Sequence, residues 1–194
     1  MKFRLGKQLP GYIALLIITL VAGLALGATF GMTEDKIREQ AVIASETARF
    51  SVMPEADAFE QLENNDQTVD WTYAAVKGGE IVGYVAQVTV QGFDGKIEII
   101  AGVDTEGRIT GVSVGGSSFS ETPGLGAKSK DKAFTDRFIG KTAPLTVVKA
   151  GQTADENGVD AITSATITST SVVNGVNEIS LYLTSLMSET EGAK

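Results

Sequence analysis

Val159-Asp160-Ala161-Ile162-Thr163-Ser164-Ala165-Thr166-Ile167-Thr168-Ser169-Thr170-Ser171 is the stretch on which the reading of this chain turns. It follows a turn-like segment, Ala154-Asp155-Glu156-Asn157-Gly158. It precedes Val172, Val176, Ile179, Leu183 and Leu186, spaced by four, three, four and three residues. That spacing predicts a helix with one apolar face. The hydroxyl-rich run therefore stands where a strand or turn becomes a helix, with Ser164 and Thr166 as N-cap candidates. A helix start offers unpaired N–H groups and the positive end of a dipole, a combination suited to phosphate. A Ser/Thr-rich cap without any ligand would show the same spacing.

The totals narrow the chemistry. The chain has 194 residues, 16 Lys+Arg against 24 Asp+Glu, and a net charge of −8. That size suggests one domain with an appendage. An acidic balance argues against nucleic acid, which needs a basic surface. Cys and His are both absent. Their absence excludes disulfides, thiolate or imidazole metal sites, cysteine nucleophiles and His-based acid/base chemistry. It also excludes His-held haem and the usual protein-held iron–sulfur clusters. A redox role would need a cofactor independent of such ligands, and a flavin is the obvious one.

Moving outward to the N-terminus, residues 11–32 (GYIALLIITLVAGLALGATFGM) carry no charge. At about 1.5 Å per residue this run can cross a hydrocarbon core of about 30 Å. A cleaved signal peptide is the alternative, but the run is long for one and Phe30-Gly31-Met32 does not resemble a small-residue cleavage site. Lys2, Arg4 and Lys7 precede the run and Glu34 and Asp35 follow it. The positive-inside rule then places residues 1–10 in the cytoplasm and the bulk of the chain outside it. Gly23, Gly27 and Gly31 form a small-residue stripe that would permit close approach of a partner helix. Thr33-Glu34-Asp35-Lys36 predicts a new helix N-terminus, with Ile37, Ala41, Ala44 and Ala48 on one face of a stalk. Residues 53–70 read as a covering loop with a short helix.

Residues 71–77, 80–91, 96–103 and 108–114 are Val/Ile-rich runs with partial alternation. Gly78-Gly79, Asp94-Gly95 and Asp104-Thr105-Glu106-Gly107 separate them, predicting an antiparallel meander. Residues 130–139 read as a short helix burying Ala133, Phe134, Phe138 and Ile139, and residues 145–149 as one more strand. The tail, 188–194, is polar and reads as frayed.

A second loop, Glu121-Thr122-Pro123-Gly124-Leu125-Gly126, lies between the meander and the short helix. Pro123 fixes its own φ and pushes Thr122 towards an extended conformation. Gly124 and Gly126 allow tight turns and close backbone approach. Leu125 is either displayed by a rigid loop or plugs the core. Gly124-x-Gly126 lacks the third glycine and the strand–turn–helix context of a dinucleotide fingerprint. Lys128, Lys130 and Lys132 read as a solvated face rather than an anion site.

Asp160-Ala161-Ile162-Thr163-Ser164-Ala165-Thr166-Ile167-Thr168-Ser169 resembles the flavinylation motif of the FMN-binding domain family. Glu121-Thr122-Pro123-Gly124-Leu125-Gly126 resembles that family's second hallmark loop. With one N-terminal membrane helix, the chain is similar to the G subunits of Rnf-type electron-transport complexes. It is more distantly similar to the C subunits of sodium-pumping NADH:quinone oxidoreductases. The likeness covers residues 83–177, and more loosely the anchor and stalk. It implies an α+β protein with a single N-terminal transmembrane helix followed by an antiparallel-sheet FMN-binding domain with flanking helices. The boundaries would be 1–10, a transmembrane helix at 11–32, an extracytoplasmic stalk and cover at 33–70, the FMN domain at 71–187 and the tail.

The resemblance further implies FMN joined through its phosphate to Thr166, placed by a flavin transferase that uses FAD as donor with magnesium. Asp160 matches the acidic position of the motif. Ser164 departs from it, because the family carries Gly there. Thr163, Ser164, Ala165, Thr168 and Ser169, with helix N–H groups, would surround the phosphodiester. Glu121, Thr122, Gly124 and Leu125 would lie beside the isoalloxazine ring, Leu125 packing on it while loop N–H groups bond its polar edge. The implied role is electron relay within a membrane complex coupling ferredoxin:NAD electron transfer to ion translocation, with the other Rnf subunits as partners. The alternative is an anchored extracytoplasmic binding or sensory module without a redox role.

Overall fold

The computed structural model describes residues 10–64, 66–149, 152 and 156–192, with the side chains of 190–192 left aside. Lys2, Arg4 and Lys7, and Ala154 and Asp155 of the turn-like segment, lie outside the described residues. The chain divides between Ile43 and Ala44 into two compact units.

The first unit is helical. Helix α1 runs without interruption over Gly11–Val52, and the second unit begins within it. Its apolar residues from Tyr12 to Met32 are exposed among the described residues, apart from the half-buried Ile13 and Ala14. It is the one helix among those residues long and apolar enough to cross a membrane. The glycine stripe at Gly23, Gly27 and Gly31 has no neighbour within contact distance. The helix start predicted at Thr33 is absent. Thr33 Oγ1 instead donates to the carbonyls of Thr29 and Phe30, at 2.9 and 3.2 Å, as a mid-helix threonine does. The charges that looked like a first turn form ion pairs along the helix, Arg38–Glu34 at 2.8 Å and Lys36–Glu39 at 2.7 Å.

The second unit is built on a five-stranded antiparallel sheet in the order β1-β2-β3-β4-β5: Ala58–Leu62, Trp71–Lys77, Glu80–Gln91, Lys96–Asp104 and Ile109–Gly115. β1 corrects the covering loop and short helix expected at 53–70. It pairs with β2 as an edge strand, and its mixed exposure hides the alternation that would have marked it. Period-two alternation gives the sheet two apolar faces. Ile97, Ile99, Ala101 and Val103 of β4 enter one core with Ala86 and Val88 of β3, whereas Ile100 and Val85 enter the other. The second core is covered by Val52, Met53 and Ala56.

Helix α3, Thr166–Gly192, covers the first core. Val172, Val176, Ile179 and Leu183 are fully buried there, and Leu186 is partly buried against it. The helix runs through Ser188, where a frayed tail was expected; Ala193 and Lys194 lie outside the described residues. The predicted helix at 130–139 is broken into a 3-10 turn at Gly126–Lys130, α2 at Lys132–Thr135 and a second 3-10 turn at Asp136–Phe138. Phe134 and Phe138 meet edge to face at 5.5 Å and are buried, but Ala133 and Ile139 are exposed. Of those four residues, only the pair four apart faces inward.

The predicted strand at 145–149 is β6, Thr146–Val148, and it pairs in parallel with β7, Gly158–Asp160. Asn177 on α3 grips the preceding residue, accepting from Leu145 N–H at 2.7 Å and donating to its carbonyl at 2.9 Å. β7 delivers the chain to the start of α3. Ser164 lies there at φ 65°, the one non-glycine residue with positive φ among those described. A side chain in this left-handed region costs roughly 1–2 kcal/mol relative to ordinary backbone. Ser164→Gly should therefore stabilise the protein, by about 0.5–1 kcal/mol after the larger chain entropy of unfolded glycine is deducted. Thermal unfolding of the full chain in detergent should show the midpoint rising by roughly 2–4 °C. A lower midpoint would mean that the serine hydroxyl contributes more than its backbone costs.

Candidate functional site

The start of α3 is stapled by one hydroxyl. Ser169 Oγ accepts the N–H of Ile162 at 2.9 Å and donates to the carbonyl of Ala165 at 2.9 Å. Ala165 N–H closes the turn onto Ile162 O at 2.9 Å, and Ser169 N–H bonds Ala165 O at 3.0 Å. Ala165 is thus the residue that leads into the helix, and neither Ser164 nor Thr166 caps it. Among the described residues no side-chain oxygen accepts from the first N–H groups of α3. The N–H groups of Thr166, Ile167 and Thr168 have no hydrogen-bond partner among the described residues. The hydroxyls of Thr163, Ser164 and Thr166 are likewise unengaged among those residues, on exposed side chains. Unpaired N–H groups, free hydroxyls and the helix dipole converge where an anion would be held.

A cavity of about 350 Å³ opens beside this turn. One wall is Ser164, Ala165, Thr166, Ile167 and Thr168, and the facing wall is Glu121, Thr122, Leu125 and Gly126. Phe93, at the tip of the β3–β4 hairpin, closes one side. The volume falls at the lower end of the roughly 300–1,000 Å³ typical of small-molecule sites. Three apolar side chains on the rim are exposed: Phe93 at 65%, Ile167 at 58% and Leu125 at 40%. Leu125 is therefore displayed and does not plug the core. Its own N–H bonds Thr122 O at 3.1 Å, as does that of Ala127, so these two loop N–H groups already have partners within the loop. Gly124, at φ 80°, makes the turn but lies outside the cavity lining.

Glu121 and Thr168 join the two walls. Thr168 Oγ1 donates to Glu121 Oε2 at 2.8 Å, both side chains being buried. Of the hydroxyls that sequence reasoning assigned to a phosphodiester, Thr168 and Ser169 are thus engaged within the protein, and Ser164 and Thr166 face the cavity. Thr163 lines a separate cavity of about 220 Å³ with Lys128, Asp131 and Arg137. Asp160 ends β7 with an exposed side chain, and its carbonyl accepts from Arg137 Nη1 at 2.6 Å. Sequence reasoning missed Phe93 and Ile167. An aromatic at a hairpin tip, and an isoleucine off the buried face of α3, are the signals that could have found them.

Residues 92–180 match the model of the FMN-binding domain, which spans the hairpin tip, both cavity walls and half of α3. The chain is 34% identical to the G subunit of the Na(+)-translocating ferredoxin:NAD(+) oxidoreductase complex of Acetobacterium woodii, over 90% of this chain and 88% of that one. It is also 34% identical to the G subunit of the proton-translocating ferredoxin:NAD(+) oxidoreductase complex of Clostridium ljungdahlii, over 84% and 85% of the two chains. Among solved structures, NqrC of Shewanella oneidensis has a similar fold, with a TM-score of 0.50 at 21% identity over 65% of this chain and 66% of that one. With its sheet, its apolar N-terminal helix and this cavity, the chain belongs to the family of G subunits of ion-translocating oxidoreductase complexes and carries that family's FMN-binding domain.

Proposed function

We propose that this chain is the FMN-bearing electron-transfer subunit of an Rnf-type membrane complex, with the cofactor linked covalently to Thr166. The observation that carries the proposal is the unengaged Thr166 hydroxyl, set at an uncapped helix N-terminus on the wall of an apolar-rimmed cavity. The residues present fit FMN. Free N–H groups at Thr166, Ile167 and Thr168 suit the phosphate, while Leu125, Phe93 and Ile167 suit a flat aromatic body. In maturation the Thr166 oxygen would bond to the FMN phosphorus as the pyrophosphate bond of FAD breaks and AMP departs. A flavin transferase supplies the base and the metal.

When bound, FMN supplies reversible transfer of one or two electrons, chemistry that no side chain here can perform. The protein holds and tunes it. Ser169 fixes the helix start, Thr166 carries the link, and the loop Glu121–Gly126 supplies the opposite wall. The electron route would join neighbouring redox centres of the complex, coupling ferredoxin and NAD to ion movement. No charged residue lies within 11–32, so this chain offers no ionisable group of the kind an intramembrane ion path uses. Translocation would belong to partner subunits, met through the Gly23/Gly27/Gly31 face. The cations before the apolar run favour an N-terminus in the cytoplasm and the FMN domain on the opposite side.

Membrane protein co-expressed with a flavin transferase and run on a denaturing gel should give a band fluorescent under ultraviolet light. Thr166→Val should abolish that fluorescence while leaving the stained band. A fluorescent Thr166→Val band would overturn the attachment at Thr166. A dark wild-type band would favour an anchored binding module without a redox role. For topology, a reporter that is active only outside the cytoplasm, fused after Lys194, should be active. Activity from a cytoplasm-only reporter would reverse the orientation.

A further inference from the structure

Glu121 is 5% exposed, and among the described residues no ion pair engages it. Its burial is compensated by three donors instead. Oε1 accepts the N–H groups of Phe93 and Asp94 at 2.7 and 3.2 Å, and Oε2 accepts the Thr168 hydroxyl at 2.8 Å. Both oxygens act as acceptors, the arrangement an ionised carboxylate satisfies. Gly92 and Gly126 fit closely around it, because a Cβ at either position would collide with the carboxylate oxygens. The hairpin tip, the 121–126 loop and the first turn of α3 therefore meet on this one group, and each of them contributes to the cavity wall.

We propose that Glu121 is a positioning residue that holds these three segments around the cavity and sets a fixed negative charge against the bound flavin, lowering its reduction potential. The proposal rests on the FMN site described above. Reduction adds electron density to the ring system. A neighbouring negative charge that no ion pair among the described residues neutralises opposes that addition, and it does so more strongly out of water. The three donors temper the charge without cancelling it. Removing the Thr168 donor should therefore strengthen its effect, and removing the charge should abolish it.

The test is a redox titration of the FMN-loaded full chain, followed by flavin absorbance, for wild type, Glu121→Gln and Thr168→Val. Glutamine is nearly isosteric. Its carbonyl can still accept from Phe93 and Asp94, and its amide can donate to Thr168 Oγ1. The Glu121→Gln potential should rise by at least about 30 mV, a tenfold change in a two-electron equilibrium. Thr168→Val breaks the same contact but keeps the charge, so its potential should fall. An unchanged or lower potential in Glu121→Gln, or a rise in Thr168→Val, would overturn the proposal, since a rise in both is what loosened packing alone produces. Should Glu121→Gln fail to take up FMN, the sign of the Thr168→Val shift decides alone. A wild-type chain lacking denaturation-resistant flavin counts against the Thr166 link instead, and the shifts are then read on FMN bound without it.

Discussion

The packing of α3 across the sheet is the constraint from which the site follows. Val172, Val176, Ile179 and Leu183 are fully buried against one face, and each such side chain contributes about 1.5–3 kcal/mol when removed from water. A helix seated by that much apolar area has little freedom to slide or rotate. Its N-terminus is therefore a fixed point in the domain, and Asn177 adds a polar tether to the segment before β6. Ser169 carries this rigidity back one more turn, because its hydroxyl holds both Ile162 and Ala165. The hydroxyls of Thr166 and Ser164 are held at the cavity without a hydrogen bond among the described residues.

That division of labour explains why some of the site was legible in sequence and some was not. The α3 stripe was legible because helical periodicity follows directly from burial on one side. The β2–β5 meander was legible from turn residues and alternation. The start of α3 was legible as a place but not in its details. Four hydroxyls in a short run look alike on paper, yet Ser169 staples, Thr168 bonds Glu121, and Ser164 and Thr166 are left for the cavity. Which hydroxyl does which depends on what packs beside it, and that is tertiary information. Thr33 shows the same limit. Threonine followed by two acids has the form of an N-cap, but a helix already in progress offers its hydroxyl carbonyls from the preceding turn.

Ser164 is the point where sequence and structure comment on each other most closely. The motif that this stretch resembles would carry glycine there, and φ at this position is 65°. Glycine suits that conformation because it lacks the Cβ that makes left-handed backbone costly. Serine accepts the cost here because its neighbours determine the turn. Ala165 N–H bonds Ile162 O, and Ser169 holds both ends. In exchange the chain gains a further hydroxyl on the cavity wall, beside the unpaired N–H groups of α3.

An electron-transfer cofactor faces two opposed demands. It must lie near the surface, because transfer to a partner weakens with distance through protein, and it must not be lost. Here the cavity is modest, and its apolar rim, Phe93, Leu125 and Ile167, is exposed. Burial alone would hold a flavin weakly in such a place, since much of the ligand's surface would stay wet. Enlarging or closing the cavity would tighten binding and hide the ring from its redox partners. The covalent link proposed at Thr166 separates the two demands. It makes docking of the ring into the cavity an intramolecular step, with an effective concentration set by the short tether. The cavity walls are then free to orient the ring and set its electrostatics, which gives a buried carboxylate such as Glu121 a role that a tightly enclosing pocket would not need.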